Sequence, residues 1–411
     1  MVDLSKSPEQ GLSRHWGLLI ILCAGGFTSA LNVTMLSPVL VHIADQFNIS
    51  EAAAGQLATL TAASSGVTAV IVAPWIDRYP RGFWLRLECG LLAIGTIISA
   101  IAPNFALMFA GRALAGIGGA VIGANCLAAC GDLFPVANDR NRAIGLINTA
   151  FTLGAVVGLP LITLLADWTN WRLAILLPAP IALIVFAASA RLPVTSRPKE
   201  ESLWSAWRAG YRRVFRSTET VWLLASVVML TVVWFGWLIY FGAFTENVYA
   251  TSAALLSALF LVGGGGEIVA NNAVPILARF KSTASVGYVV IAMSTINLLM
   301  MGIAWNQEWS LFPFVAIASG TGAMLLVVLN IAILDSLPGD PGAAMSLQSA
   351  CFELGGSLGV AITGLSLALI DNYETVYRLL GAITPLIGVT LWLSTRSRVK
   401  AKLPAPIPTD A

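Results

Sequence analysis

Twelve apolar stretches, each about twenty residues long, fill the chain from Trp16 to Ser394, and most of its lysines and arginines lie in alternate connections between them. A helix rises about 1.5 Å per residue and a bilayer core is about 30 Å thick, so each stretch is long enough to cross it. Only 11% of the residues are charged and 57% are hydrophobic, against roughly one-quarter charged in soluble domains. A water-soluble core cannot hide that much apolar surface. The expected fold class is therefore an all-α membrane protein with twelve transmembrane helices. The spans read as about 16–44, 52–76, 84–103, 106–131, 143–166, 173–190, 221–245, 252–277, 284–304, 310–334, 344–369 and 376–395.

Lysine and arginine accumulate in cytoplasmic loops, which gives the orientation. With the N-terminus inside, the inner connections hold Arg78, Arg81, Arg140, Arg142, the 191–216 segment, Arg279 and Lys281, followed by the tail residues Arg396, Arg398, Lys400 and Lys402. The outer set holds only Arg172 and Arg378. Both termini are expected in the cytoplasm. The first apolar run is too long for a cleavable signal and lacks a small-residue cleavage site. The net charge of +2 is this asymmetry and little else, so no nucleic-acid partner is expected. The five cysteines (Cys23, Cys89, Cys126, Cys130 and Cys351) all fall in spans, so no disulfide is implied. Cys126 and Cys130 share a helix face, but no His or third Cys joins them in the sequence, and no metal or cofactor is expected.

The spans divide six and six. Phe151, Leu153, Gly154 and Gly158 in the fifth recur as Phe352, Leu354, Gly355 and Gly359 in the eleventh, 201 positions later. Ala115, Gly119, Ala120, Asp132 and Pro135 recur 203 positions on as Ala318, Gly322, Ala323, Asp335 and Pro338. Small-xxx-small spacing occurs in any tight membrane helix pair, but the flanking Phe, Leu, Asp and Pro favour a duplicated six-helix unit. The expected domains are a six-helix bundle at 1–190, a linker at 191–220, a second bundle at 221–395 and a tail at 396–411. In the linker, Leu203, Trp204, Trp207, Tyr211, Val214 and Phe215 repeat at helical spacing between arginines. This predicts an amphipathic helix, either a tether on anionic lipid or a docking element.

Charges inside spans are costly and normally face a cavity or a partner. Glu267 follows four glycines in the eighth span and shares a face with Asn271. Such an acid either exchanges a proton or locks helices by hydrogen bonding. Glu353 stands where the first half has Thr152, an asymmetry of either kind. Arg112 in the fourth span needs a counter-charge, a bound anion or several carbonyl oxygens, and Glu88 lies too near the cytoplasmic end to serve. Asn32 and Thr34 in the first span add polarity, and Trp234 and Trp237 are the deeper of a dense aromatic group in the seventh. These rings line a cavity for a flat or cationic solute, or belong to an interfacial belt.

Two patterns resemble a family. The second turn reads Ala73-Pro-Trp-Ile-Asp77-Arg78-Tyr-Pro80-Arg81-Gly82, similar to the G-x-L-a-D-[RK]-x-G-R-[RK] signature of the major facilitator superfamily. Arg112-Ala-Leu-Ala-Gly116-Ile-Gly118 resembles its R-x-x-x-G-x-G stretch. The resemblance spans nearly the whole chain and implies the major facilitator fold, with two pseudo-symmetric bundles. It implies that Asp77, Arg78 and Arg81 gate the cytoplasmic ends of the halves. Ala73 and Pro80 replace glycines of the signature, and Gly82 a basic residue. Gly154, Gly158 and Pro160 partly match the family's antiporter element, with Leu159 inserted before the proline. The branch most resembled is the bacterial drug or metabolite antiporters, and a monomer in the bacterial inner (plasma) membrane is implied. The expected function is alternating-access transport of a small organic solute, driven outward by protons through Glu267 with Glu353 or Arg112 modulating. The alternative is proton-coupled uptake of an organic anion partnered by Arg112. An enzyme would need a nucleophile with its base or clustered acids, and the sequence shows neither.

Overall fold

The structure, a computed structural model, describes residues 15–73, 75–76, 79–134, 136–192, 203–277, 282–303, 307–337 and 341–402. Twelve helical segments among them are long and apolar enough to cross a bilayer: Trp16–Thr34, Glu51–Val72, Arg81–Ile101, Phe105–Cys130, Arg142–Trp168, Trp171–Arg191, Thr218–Ile239, Ala253–Val274, Ala284–Met301, Glu308–Ser336, Ala343–Ile370 and Tyr373–Arg398. Helices suit lipid because each satisfies its own backbone groups. Two sequence runs are not single helices. The run at 16–44 ends its first helix at Thr34 and restarts through a 3-10 turn, Ser37–Val39, into the short helix Leu40–Phe47, because Pro38 supplies no N–H to continue the ladder. The run at 221–245 likewise ends at Ile239 and restarts as Phe241–Tyr249.

The duplication is repeated in helix caps. Leu40–Phe47 ends at left-handed Asn48 and Phe241–Tyr249 at left-handed Ala250, 202 positions on. Ser50 then caps the second span by accepting from Ala53 N, and Ser252 does the same for Leu255 N in the eighth. Asn170 accepts from Leu173 N at the start of the sixth span, and Asn372 from Thr375 N at the start of the twelfth. Each such cap satisfies a backbone donor that the helix leaves free.

Packing follows the same repeat. The first span lies on the fifth as the seventh lies on the eleventh, and the second touches the fourth as the eighth touches the tenth. A methyl group on Gly154 would fall 2.5 Å from Phe27 O, and one on Gly355 2.8 Å from Val228 O, again 201 positions apart. Backbones meet there at a distance only glycine permits. Gly355→Val drives a branched side chain into Thr231 Oγ1, which lies 2.1 Å from where its Cβ would sit. We expect at least about 1–3 kcal/mol of destabilisation, read as a lowered Tm in detergent.

The two sets of six meet where the second span runs along the eleventh and the fifth along the eighth. A helix covers Leu203–Arg216 in the connection between the halves. Val214 is fully buried and Tyr211 Oη lies 3.4 Å from Ser346 Oγ, so this stretch rests on the eleventh span, while Phe215 is exposed. The side chains of Leu203, Trp204 and Trp207 lie outside those described.

Candidate functional site

A pocket opens between the two sets of spans. Asn32, Thr61, Ser65 and Gly119 line it from the first set, and Phe235 and Glu353 are among its walls from the second. Behind the first wall stands Arg112, with no exposed surface. Its Nη2 donates to Asn32 O at 3.0 Å and Asn32 Oδ1 at 3.1 Å, and its Nε to Thr61 Oγ1 at 3.1 Å. Thr61 passes its own proton to Leu57 O at 2.7 Å, and Asn32 Nδ2 donates to Ala115 O at 3.3 Å. The arginine thus binds two carbonyl oxygens and a hydroxyl rather than a carboxylate, closest to the third of the environments open to it. Nη1 has no partner.

Position by position, the second half lacks this polar knot. Offsets of 201 to 203 carry Asn32, Thr61 and Arg112 onto Val233, Gly263 and Val315, and both valines are core residues. The second half contributes an acid instead. Glu353 borders the pocket, its Cβ lies 3.2 Å from where a Cβ on Gly66 would sit, and its Oε2 is sealed from solvent without a hydrogen-bond partner. Cation-bearing wall and acid-bearing wall therefore face the same space from opposite halves.

Glu267 is elsewhere. It is half-buried in the eighth span, on the stripe shared by Gly264 and Asn271. A Cβ on Gly264 would meet Val156 of the fifth span at 2.3 Å, so that stripe runs along the seam between the halves. Neither Glu267 nor Asn271 borders the pocket. Glu88 is buried in the interior of the first half, with the side chain of Asn125 facing it.

The aromatic expectation divides in two. Trp234 sits edge-on to Phe352 at 6.5 Å, and its Nε1 is buried without a partner. Trp237 is 2% exposed and packs in the core with Phe241, so it faces away from the pocket. The pocket aromatic is Phe235, edge-on to Phe352 at 5.5 Å. Thr34 spends its hydroxyl on Ala30 O at 3.1 Å and is not a pocket residue. Sequence reading overlooked Thr61 and Ser65, and within the aromatic group of the seventh span it preferred Trp234 and Trp237 to Phe235. Thr61 bonds its own helix as most buried threonines do, so nothing in the sequence marked it.

Of the gating residues, Asp77 and Arg78 lie outside the described residues. Arg81 joins Asp132 at 3.2 Å and donates from Nη1 to Ile76 O at 3.2 Å, contacts within the first half. Gly154 and Gly158 press on the first span, and Pro160 O accepts from Ser257 Oγ of the eighth at 3.4 Å. The fifth span breaks at Val157, between the helices Ala137–Val156 and Gly158–Trp168.

Several hydrogen bonds join the halves from mid-depth to the arginine-poor face. Ser357 Oγ donates to Thr59 O at 2.9 Å, Ser37 Oγ to Leu238 O at 2.6 Å, and Asn247 Nδ2 to Glu51 Oε1 at 2.9 Å. That side of the pocket is closed.

The model of the Major Facilitator Superfamily matches residues 22–360. A chloramphenicol efflux pump of Mycobacterium tuberculosis is 25% identical over 95% of this chain and 94% of its own length. An uncharacterized MFS-type transporter of Bacillus subtilis is 25% identical over 91% of this chain and 92% of its own. Among solved structures, a bacterial homologue of the human lysosomal transporter Spinster aligns with a TM-score of 0.74 at 15% identity, covering 98% of this chain and 100% of that one. A D-xylose-proton symporter aligns with a TM-score of 0.74 at 15% identity, covering 92% and 97%. Such identities show a common fold.

Proposed function

This chain belongs to the Major Facilitator Superfamily and is an integral membrane transporter, and we propose that it exports a small drug-like organic molecule in exchange for protons. Both termini face the cytoplasm in this reading, so the arginine-poor face, where the halves are hydrogen-bonded together, is external and this structure is read as the state closed to the outside. The halves rock about the pocket, which meets each side of the membrane in turn.

The observation that carries the proposal is Glu353, an acid with an unpartnered oxygen in the pocket wall, opposite the Arg112 network. An isolated charge there is expensive, whereas a neutral acid is not. The acid therefore holds its proton until a bound solute takes over as the partner of the carboxylate. Solute entering from the cytoplasm displaces the Glu353 proton inward, and a proton from outside displaces the solute outward. Glu267, on the seam beside Asn271, is the other acid that exchanges a proton if Glu353 does not. The partial antiporter element at Gly154, Gly158 and Pro160 and the likeness to a chloramphenicol efflux pump support the outward direction. Expression in a drug-sensitive bacterium should raise resistance to chloramphenicol or another amphipathic drug of similar size. Unchanged sensitivity across such a panel would remove the drug reading.

One observation favours a second reading. Arg112 Nη1 has no partner, a buried donor that an organic anion taken up with protons would reach once the Asn32 and Thr61 wall moved aside. The two are separated by whether an imposed proton gradient empties or fills solute-loaded vesicles.

A further inference from the structure

One carboxylate ties the external ends of the halves together. Glu51 opens the second span, and its oxygens accept from Asn247 Nδ2 at 2.9 Å and from the hydroxyl of Tyr373. Both donors belong to the second half. Asn247 lies in the helix Phe241–Tyr249 that follows the seventh span, and its amide also donates to Ala243 O at 2.9 Å. Tyr373 is the first residue of the helix that Asn372 caps. A single side chain thus gathers three elements: the start of the second span, the seventh-to-eighth connection and the eleventh-to-twelfth connection.

Directly behind it the halves are in contact. Tyr240 is fully buried with its hydroxyl 3.4 Å from both Ala52 O and Val360 O, one from each half. A methyl group on Gly55 or Gly364 would fall 2.0 or 2.3 Å from that hydroxyl oxygen, so the fit is closed against anything larger than glycine.

Other groups around Glu51 oppose this closure. Asp45 from the first half and Glu246 and Asp371 from the second stand within electrostatic reach of it, whereas His42 of the first half attracts Glu246 of the second. Like charges on both halves push the face apart. Hydrogen bonds to a carboxylate are stronger than those between neutral groups. They lie at the outermost level of the contact, where rocking separates the halves furthest.

We propose that Glu51 is the external latch of the transport cycle, and that its bonds to Asn247 and Tyr373 set the balance between the inward-open and outward-open states. Glu51 touches neither pocket nor solute; it acts by holding the closed face. The inference rests on the rocking motion proposed above. It is read without solute or gradient, so failure of the drug-efflux reading leaves it standing.

The test is hydrogen–deuterium exchange on the full chain in lipid nanodiscs, comparing wild type with Tyr373→Phe and Asn247→Leu, each of which removes one donor to Glu51 at nearly constant volume and leaves its charge and the repulsion around it in place. Loss of one charge-assisted bond shifts the closed-to-open ratio by about tenfold. Exchange should quicken at 51–58, 240–249 and 360–373, and slow at 66–72 and 343–350 as the opposite face closes. The reciprocal slowing distinguishes a shift of state from local fraying. Unchanged exchange in both variants, or quickening outside with no slowing inside, would overturn the latch.

Discussion

Glu353→Gln is expected to reach the membrane in normal amount and to lose proton-driven transport down to the level of vesicles lacking the protein. Glutamine keeps the volume of the side chain and its hydrogen-bonding capacity, but it has no proton to give up. Removing the coupling leaves the pocket itself intact, since the Arg112 network is anchored to Asn32 and Thr61 in the other half. Solute-for-solute exchange down a concentration gradient should therefore survive, and that split separates a coupling role from a packing role. Glu267→Gln is the control from the seam. If it alone abolished driven transport, the proton station would be on the eighth span.

Arg112→Leu should remove transport while leaving Tm nearly unchanged. Two terms oppose. Leaving Asn32 Oδ1 and Thr61 Oγ1 without their donor costs about 1–3 kcal/mol for each unpaired group. Against that, the guanidinium is wholly buried, and among the described residues no carboxylate pairs with it, so its removal relieves a desolvation cost of similar order. A folded, inert transporter is the result. Arg112→Lys should not restore activity, because a lysine ammonium is a point charge and cannot present Nε and Nη2 to Thr61 and Asn32 together. A large fall in Tm would make Arg112 a structural residue, and retained transport would remove it from the mechanism.

Much of the fold is legible in the sequence because lipid imposes one length and one secondary structure. The duplication is legible too, since Phe151 to Gly158 and Phe352 to Gly359 keep their spacing, and the close contacts of Gly154 and Gly355 repeat at the same interval. Hydropathy cannot register a break inside an apolar run, which is why 16–44 and 221–245 each read as one span. The site is legible only in its charges. Arg112 and Glu353 stand out as ionisable residues in apolar helices, but rotation about a helix axis is invisible where nearly every position is apolar. For this reason Trp237 reads as a cavity residue although it belongs to the core with Phe241, while Phe235, two positions away, lines the pocket. Glu51 escapes notice altogether. At the start of a helix an acid needs no explanation, and its partners Asn247 and Tyr373 are far away in sequence.

The exchange of solute for protons at a pocket between two halves is tested most directly in inside-out membrane vesicles containing the chain. An acid-inside gradient is imposed, with labelled chloramphenicol or a drug active in the resistance assay supplied outside. The account predicts accumulation in the lumen, alkalinisation of the lumen as solute enters, collapse of both by a protonophore, and neither signal with Glu353→Gln. Gradient-independent accumulation, or expulsion of preloaded solute under the same gradient, would contradict it.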